Sequence, residues 1–346
     1  MRAKHQFIDR HTRQVRDEPL YADRWIRCLY SPAMERSGKL YQALTSRRWS
    51  RLIATWNYDS LLGQRLTGGR RFLERMRIDL SECLDPAESL DTLRKVFERR
   101  IRYWECRPLA SDERAIVAPS DSRMLIGSLE PSSQLFLKEK FFACAELLGG
   151  VSPWIELFRH ADAAIFRLTP EKYHYNHCPV AGVARAIYRV DGRFHACNPT
   201  AAVAVLTPYS KNERVVTIID TDAPGGTGVG RVAMVEVAAM MIGDIVQAYS
   251  EEHYDAPRGI EPGMWLRRGQ PKSLFRPGAS TVVLLFEPGR VRFAADLIEN
   301  LRRPVKSRYA FGFGASLTET DVAARSLIGL PAECEWTSTQ PSGAVA

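Results

Sequence analysis

The chain has 346 residues, of which 45% are hydrophobic and 25% charged, enough to bury a sizeable core as one large domain or two modest ones. Seven scattered cysteines never form a Cys-x-x-Cys pair, which argues against a zinc site or a disulfide framework and for a reduced, cytosolic setting. The net charge of +8 is concentrated at the start: residues 1–51 hold twelve Lys or Arg against five Asp or Glu, a local +7 that points to an acidic partner, either nucleic acid or an anionic membrane surface.

The first segment, MRAKHQFIDRHTRQ, lacks the apolar core of a signal peptide. From Tyr21 to about Tyr58 the pattern is helical, with Leu40, Tyr41, Leu44, Trp49, Leu52, Ile53 and Trp56 on a broad arc that also takes in Arg48 and Arg51. Tryptophans beside long cationic side chains suit a helix lying in a lipid interface, and equally a helix docked on its own domain with arginines at the rim. Residues 69–110 continue as short helical segments, such as SLDTLRKVFERRIRYWE with Leu90, Leu93, Val96 and Phe97 at helical spacing.

Beyond Ser111 the texture changes to short β-type runs, RAIVAP, AAIFRL, GVARAIYRV, VAVLTPY and RVVTIID, separated by Gly, Pro and Asn turns. One helix is expected among them, from about Gly230 to Tyr249. The richest apolar run of the chain falls there, RVAMVEVAAMMIGDIVQAY, but Glu236 and Asp244 break it, so it is not a spanning helix. The expected class is α+β: a helical, basic amino-terminal region over residues 1–110, then a β-rich catalytic body of antiparallel sheet or barrel-like form over residues 111–346. A polar tail follows Pro331.

Three segments carry groups capable of chemistry. RLTPEKYHYNHCPVAG holds His174 and His177 in a chain with only seven histidines. A metal reading wants a third ligand, and the only neighbour, Cys178, points elsewhere on an extended chain, so no metal is expected. VAPSDSRML places Asp121 in a turn, where an aspartate either bonds its own backbone or orients a histidine. RPGASTVVLLF sets Ser280 at the entry to a buried strand. The Gly-x-Ser-x-Gly elbow of a hydrolase is absent, and attack by a base-activated serine on its own chain fits the setting better.

In this order the segments resemble the phosphatidylserine decarboxylase family, whose members mature by self-cleavage and carry a pyruvoyl group. FIDRHTRQVRDEPLYADRWIRCLY is similar to the amino-terminal region of longer bacterial members, and FERRIRYWECRP supplies the Phe-x-Arg and Arg-Pro positions as Phe97, Arg99, Arg107 and Pro108. PSDSR, FLKEKFFACAELLGG, the Tyr-His-x-x-His-x-Pro-x-x-Gly block, KNERVV, GVGRVAMVEVAAMMIGDI and PGASTVVLLFEPGRV follow, so the likeness spans about residues 7–300.

The resemblance implies that Asp121 orients His177, that His177 deprotonates Ser280, and that the chain is cut between Ala279 and Ser280. Residue 280 then becomes the covalent pyruvoyl cofactor, and His174 protonates the carbanion left when carbon dioxide departs. It further implies phosphatidylserine as substrate, peripheral association with an anionic phospholipid membrane on the cytoplasmic side, and cleaved two-chain units free to form homo-oligomers. Two alternatives stand beside it: the same chemistry on a soluble amino acid such as tryptophan or on a biosynthetic intermediate, and a non-catalytic membrane- or nucleic-acid-binding protein. No base-stacking motif supports nucleic acid as a partner. The chain departs from the family pattern at Glu139 after Lys138, at Ala238, at Pro271 and Ser273, at Pro277 before Gly278, and above all at Ala279, where a Cβ replaces the usual glycine.

Overall fold

The computed structural model describes residues 4–20, 23, 78–133, 135, 137, 141–204, 207–239, 244–277, 280–313 and 317–332. The tryptophan-bearing segment, Lys138, Glu139, Gly278, Ala279 and the tail lie outside the described residues. The amino terminus opens with β1 (Gln6–Asp9) and β2 (Val15–Asp17); the body contributes β3 (Ile116–Val117), β4 (Ser122–Ser128), β5 (Asp162–Leu168), β6 (Tyr175–His177), β7 (Gly182–Val190) and β8 (Arg214–Asp220). There follow β9 (Arg231–Val237), β10 (Ile245–Gln247), β11 (Trp265–Leu266), β12 (Pro271–Phe275), β13 (Ser280–Phe286), β14 (Val291–Phe293), β15 (Glu319–Val322) and β16 (Leu327–Pro331).

Ten strands form one sheet in the order β11-β7-β8-β9-β13-β5-β4-β15-β1-β2, antiparallel except where β1 runs parallel to β15. Two three-stranded sheets, β10-β12-β6 and β14-β16-β3, complete the α+β architecture. β13 lies in the interior of the large sheet, and all seven of its residues are buried. Burial on both faces explains why its sequence reads as an unbroken run of β-branched and apolar residues rather than an alternation.

The same physics corrects two expectations. The predicted helix from Gly230 to Tyr249 is instead β9 and β10, because β9 sits between β8 and β13 and buries Val232 to Val237 on both faces. A run apolar on every side has no period by which helix and strand can be told apart. VAVLTPY, read as β-type, places Val203 and Ala204 in the helix Pro199–Ala204 and Pro208 and Tyr209 in the helix Pro208–Lys211, each opened by a proline whose fixed φ suits a first helical turn.

The amino-terminal region departs from helix at its start, since residues 6–17 form a hairpin on the edge of the large sheet. Burying it solves an electrostatic problem. Arg123 on β4 and Arg167 on β5 are directly opposed, an arrangement that destabilises a sheet unless compensated. Glu18 and Glu319 both bond Arg167 (2.6 and 2.5 Å to Nη2), His5 bonds Glu319 at 2.7 Å, and the Arg123 guanidinium lies 3.5 Å above the Phe7 ring. Further along, the helix Leu93–Phe97, capped by the Thr92 side chain, and the helix Tyr103–Cys106 enclose a second small core of Cys83, Leu90, Val96, Ile101 and Tyr103 against Tyr173.

Substituting Arg167 by Leu removes the guanidinium shared by two buried carboxylates and is expected to lower stability by about 3–5 kcal/mol in urea denaturation. Lys4→Ala, which removes an exposed pair with Asp17, should leave the urea midpoint unchanged.

Candidate active site

Ser280 is the first residue of β13, and its Oγ is buried with no hydrogen-bond partner among the described residues. A buried hydroxyl left unpaired costs roughly 1–3 kcal/mol, and Ser280 shares this feature with its neighbour Thr281 and with Ser120 and Thr217. Its direction follows from register. Val282 stands opposite Glu236 on β9, and residues two apart on a strand share a face, so Ser280, Val282 and Glu236 point to the same side. Glu236 reaches across that side to the small sheet, accepting from Lys272 at 2.8 Å, from Ser273 Oγ and from Gln247 at 2.9 Å. Asn176 on β6 donates to Ser273 Oγ at 3.0 Å. The face that carries Ser280 is therefore turned toward the strand that carries His177.

His177 is fully buried on β6, opposite Pro271 of β12. Its Nδ1 donates to the Gly269 carbonyl at 2.8 Å, and its Nε2 meets the Tyr173 hydroxyl at 3.1 Å. Gly269 has φ of 76°, and a Cβ there would lie 2.6 Å from Leu109 Cδ1, so only glycine presents this carbonyl without strain. Burial pushes the His177 imidazole down to about 4, against the opposing pull of the Gly269 bond. At neutral pH it is an uncharged base.

Asp121, immediately before β4, does not bond His177 directly. Arg107 donates to both its oxygens (2.8–3.1 Å) and the Ala324 amide donates at 2.8 Å, while Arg107 also holds Glu82. Burial alone would raise the Asp121 carboxyl, and the Arg107 guanidinium overrides it, holding the group below the usual carboxylate range. The Asp121 charge is still felt at His177, where it favours the protonated ring. His174, also buried, donates from Nδ1 to the Lys172 carbonyl at 2.7 Å and packs edge-on against Phe97 at 4.8 Å. Its own carbonyl accepts from the Phe275 amide, tying it to the end of β12, five residues ahead of Ser280.

The structure thus places His177 on β6, in the small sheet faced by the Ser280 side of β13, ties His174 through its carbonyl to Phe275 at the end of β12, and pairs Asp121 with Arg107. The residues that sequence reasoning did not assign are Gly269, Tyr173, Glu236 and Lys272. Tyr173 stood inside the histidine block, and Glu236 announced itself as a lone charge in an apolar run; a backbone carbonyl such as that of Gly269 leaves no side-chain signal.

The profile of the family described as phosphatidylserine decarboxylase matches residues 93–307, a span that contains all four of these groups. The chain belongs to the phosphatidylserine decarboxylase family. The phosphatidylserine decarboxylase proenzyme of Bordetella petrii is 33% identical over 68% of this chain and 82% of its own length. The proenzymes of Chlamydia pneumoniae and Chlamydia felis are 27% and 29% identical over 89% and 91% of this chain, covering 96% and 99% of their own lengths.

His177 and the buried His195 both have pKa values depressed to about 4 from 6.5. A depressed folded value gives stability that is complete above the unfolded pKa and is lost as pH falls toward the folded one. Tm is expected to decline between pH 6.5 and pH 4, with a shallower decline in His177→Gln, checked by thermal unfolding across that range.

Proposed function

We propose that this chain is a phosphatidylserine decarboxylase proenzyme that cuts itself between residues 279 and 280. The observation that carries the reading is the buried Ser280 hydroxyl, without a partner among the described residues, on the side of β13 that faces the small sheet whose strand β6 bears the neutral, buried His177. With Nδ1 committed to the Gly269 carbonyl, His177 accepts the Ser280 proton at Nε2. The serine oxygen then bonds to the carbonyl carbon of residue 279, the C–N bond breaks, and the proton passes to the departing amide nitrogen. Asp121, its charge held by Arg107, stabilises the imidazolium while it exists.

Elimination from the resulting ester releases the carboxylate of residue 279. Hydrolysis of the dehydrated residue then frees ammonia, leaving a pyruvoyl group at position 280. The residues present fit that group, because the Ser280 side chain is small, buried and without a competing hydrogen bond. Once formed, the group supplies an electron-withdrawing carbonyl that accepts the electrons released with carbon dioxide. His174, with Nδ1 fixed on the Lys172 carbonyl, exchanges protons at Nε2 and is assigned to protonate the product carbon.

A lipid substrate calls for a membrane-facing surface. Among the described residues no helix is long and apolar enough to cross a membrane. We assign peripheral attachment to the basic, tryptophan-bearing segment, where each cation near an anionic surface adds on the order of 1 kcal/mol. Because residues 6–18 belong to the sheet and its ion pairs, a test of attachment has to spare them; Trp49→Ala with Trp56→Ala should reduce flotation on vesicles containing anionic lipid.

Purified protein should run as two chains, the smaller starting with a pyruvoyl group by mass spectrometry, and Ser280→Ala should run as one. A wild-type chain that stays intact overturns the reading. Carbon dioxide release from phosphatidylserine in micelles should exceed that from free serine or tryptophan; the reverse would assign a soluble amino acid.

A further inference from the structure

The turn between β15 and β16 carries an arginine in a setting that costs energy twice. Arg325 has φ of 67° and only 8% exposure, and its Nε has no hydrogen-bond partner among the described residues. A side chain in the left-handed region strains the backbone, and a buried guanidinium is expensive unless a carboxylate meets it. Arg325 bonds no carboxylate among the described residues; Nη1 donates instead to the Tyr103 carbonyl at 2.9 Å. Its backbone is pinned at both ends, the amide donating to the Ala118 carbonyl and the carbonyl accepting from the Ala110 amide. One residue earlier, the Ala324 amide holds Asp121.

The guanidinium lies one ring away from His177. Its central carbon is 4.8 Å from the Tyr103 ring centroid, and that ring meets His177 edge-on at 4.7 Å. It also reaches Gly269: a Cβ added there would lie 3.3 Å from Arg325 Nε, and the Gly269 carbonyl takes the hydrogen of His177 Nδ1. Tyr103 is tied to the same turn, its hydroxyl donating to Gln270 Oε1 at 2.8 Å. Charges act on the imidazole from three elements: Asp121 before β4, Arg107 after the helix Tyr103–Cys106, and Arg325 after β15. The adjoining Tyr103 and Tyr173 are neutral, since burial raises both phenols above their ordinary value. Burial is the main cause of the ring's low proton affinity, and of the three charges Arg325 is felt most strongly, ahead of Asp121 and Arg107. Asp121 and Arg107 offset each other as an ion pair, whereas Arg325 has no counter-ion among the described residues.

We propose that Arg325 is a positioning residue for His177: it props the Tyr103 ring and the Gly269 turn against the imidazole and supplies the uncancelled positive charge that opposes protonation. The effect on self-cleavage rests on His177 being its base; the effect on the ring does not. Arg325 lies beyond the family match of residues 93–307 and on the carboxyl-terminal side of Ser280. After the cut, the short piece would hold both the reacting residue and the charge that governs a histidine on the long one.

Charge and contact separate by substitution. Arg325→Gln keeps a donor for the Tyr103 carbonyl and removes the charge, while Arg325→Lys keeps the charge and gives up the planar fork over the ring. Arg325→Met, an apolar chain of similar length, is a second neutral variant of a kind that folds tolerate at buried charges. In the uncleavable Ser280→Ala chain, histidine ring signals would be followed by NMR from about pH 3.5 to about pH 8, with His177 assigned by its loss in His177→Gln. The His177 midpoint should rise by about one pH unit in Arg325→Gln and Arg325→Met, and by less than about a third of that in Arg325→Lys. An unmoved midpoint in the neutral variants, or an equal rise in Arg325→Lys, overturns the proposal. Full chain carrying Ser280, pulse-labelled in cell-free translation and diluted into the same buffers, should lose cleavage rate on acidification at a midpoint raised equally by the neutral variants. A cleavage profile that stays in place while the ring midpoint rises overturns His177 as the base and leaves the hold of Arg325 on the ring standing.

Discussion

The ion pair between Glu236 and Lys272 holds the site together. Neither side chain has any exposure, and between them they bridge β9 of the large sheet and β12 of the small one. β9 is the neighbour of the strand that begins with Ser280, and β12 is the neighbour of the strand that bears His177. Burying two charges is expensive, and well-packed apolar residues of similar size often serve stability as well. What an apolar pair lacks is direction: Glu236 spends its oxygens on Lys272, Ser273, Gln247 and Asn176, and this set is satisfied in only one alignment of the sheets. The spacing of the Ser280 strand from the His177 strand is thus set by hydrogen-bond geometry rather than by general compaction.

Around that pair, the surroundings of the two histidines and the aspartate are tuned differently. His177 is kept neutral by burial, while Asp121 is kept charged by Arg107 in spite of it. At the His177 ring the Asp121 charge favours protonation, while the Arg325 and Arg107 guanidinium groups oppose it. The orienting bond comes from a glycine carbonyl. Such a carbonyl cannot ionise, so the ring orientation does not depend on pH in the way a carboxylate contact would.

Much of this was legible in the residues. β5, β7, β8 and β13 follow the runs read from β-branched residues between turn formers, and the histidine block and the serine entering its strand are where the spacing put them. The 231–237 strand was misread because every side of it is buried, which erases periodicity, and the segment after Pro199 because Val203 to Tyr209 was read as a β-type run although Pro199 and Pro208 each open a helix. The contacts of Asp121 were out of reach for another reason: Arg107, fourteen residues away, and Ala324, two hundred and three away, meet it only through the fold. The hairpin of residues 6–17 escaped because its partner strand lies some three hundred residues further on.

The strand order has a consequence of its own. If the chain is cut before Ser280, β13 and β15 belong to the short piece and β9, β5, β4 and β1 to the long one, and in the sheet these run β9-β13-β5-β4-β15-β1. Each strand of the short piece is flanked on both sides by the long piece, like fingers laced between fingers. The halves can part only by tearing two interior strands out of a continuous ladder, β13 alone being paired over seven residues with β5 and six with β9. Scission therefore turns a reversible folding problem into an irreversible assembly: the order of events, fold first and cut afterwards, is written into the weave, and a mature molecule once unravelled would have to find its way back as two chains instead of one.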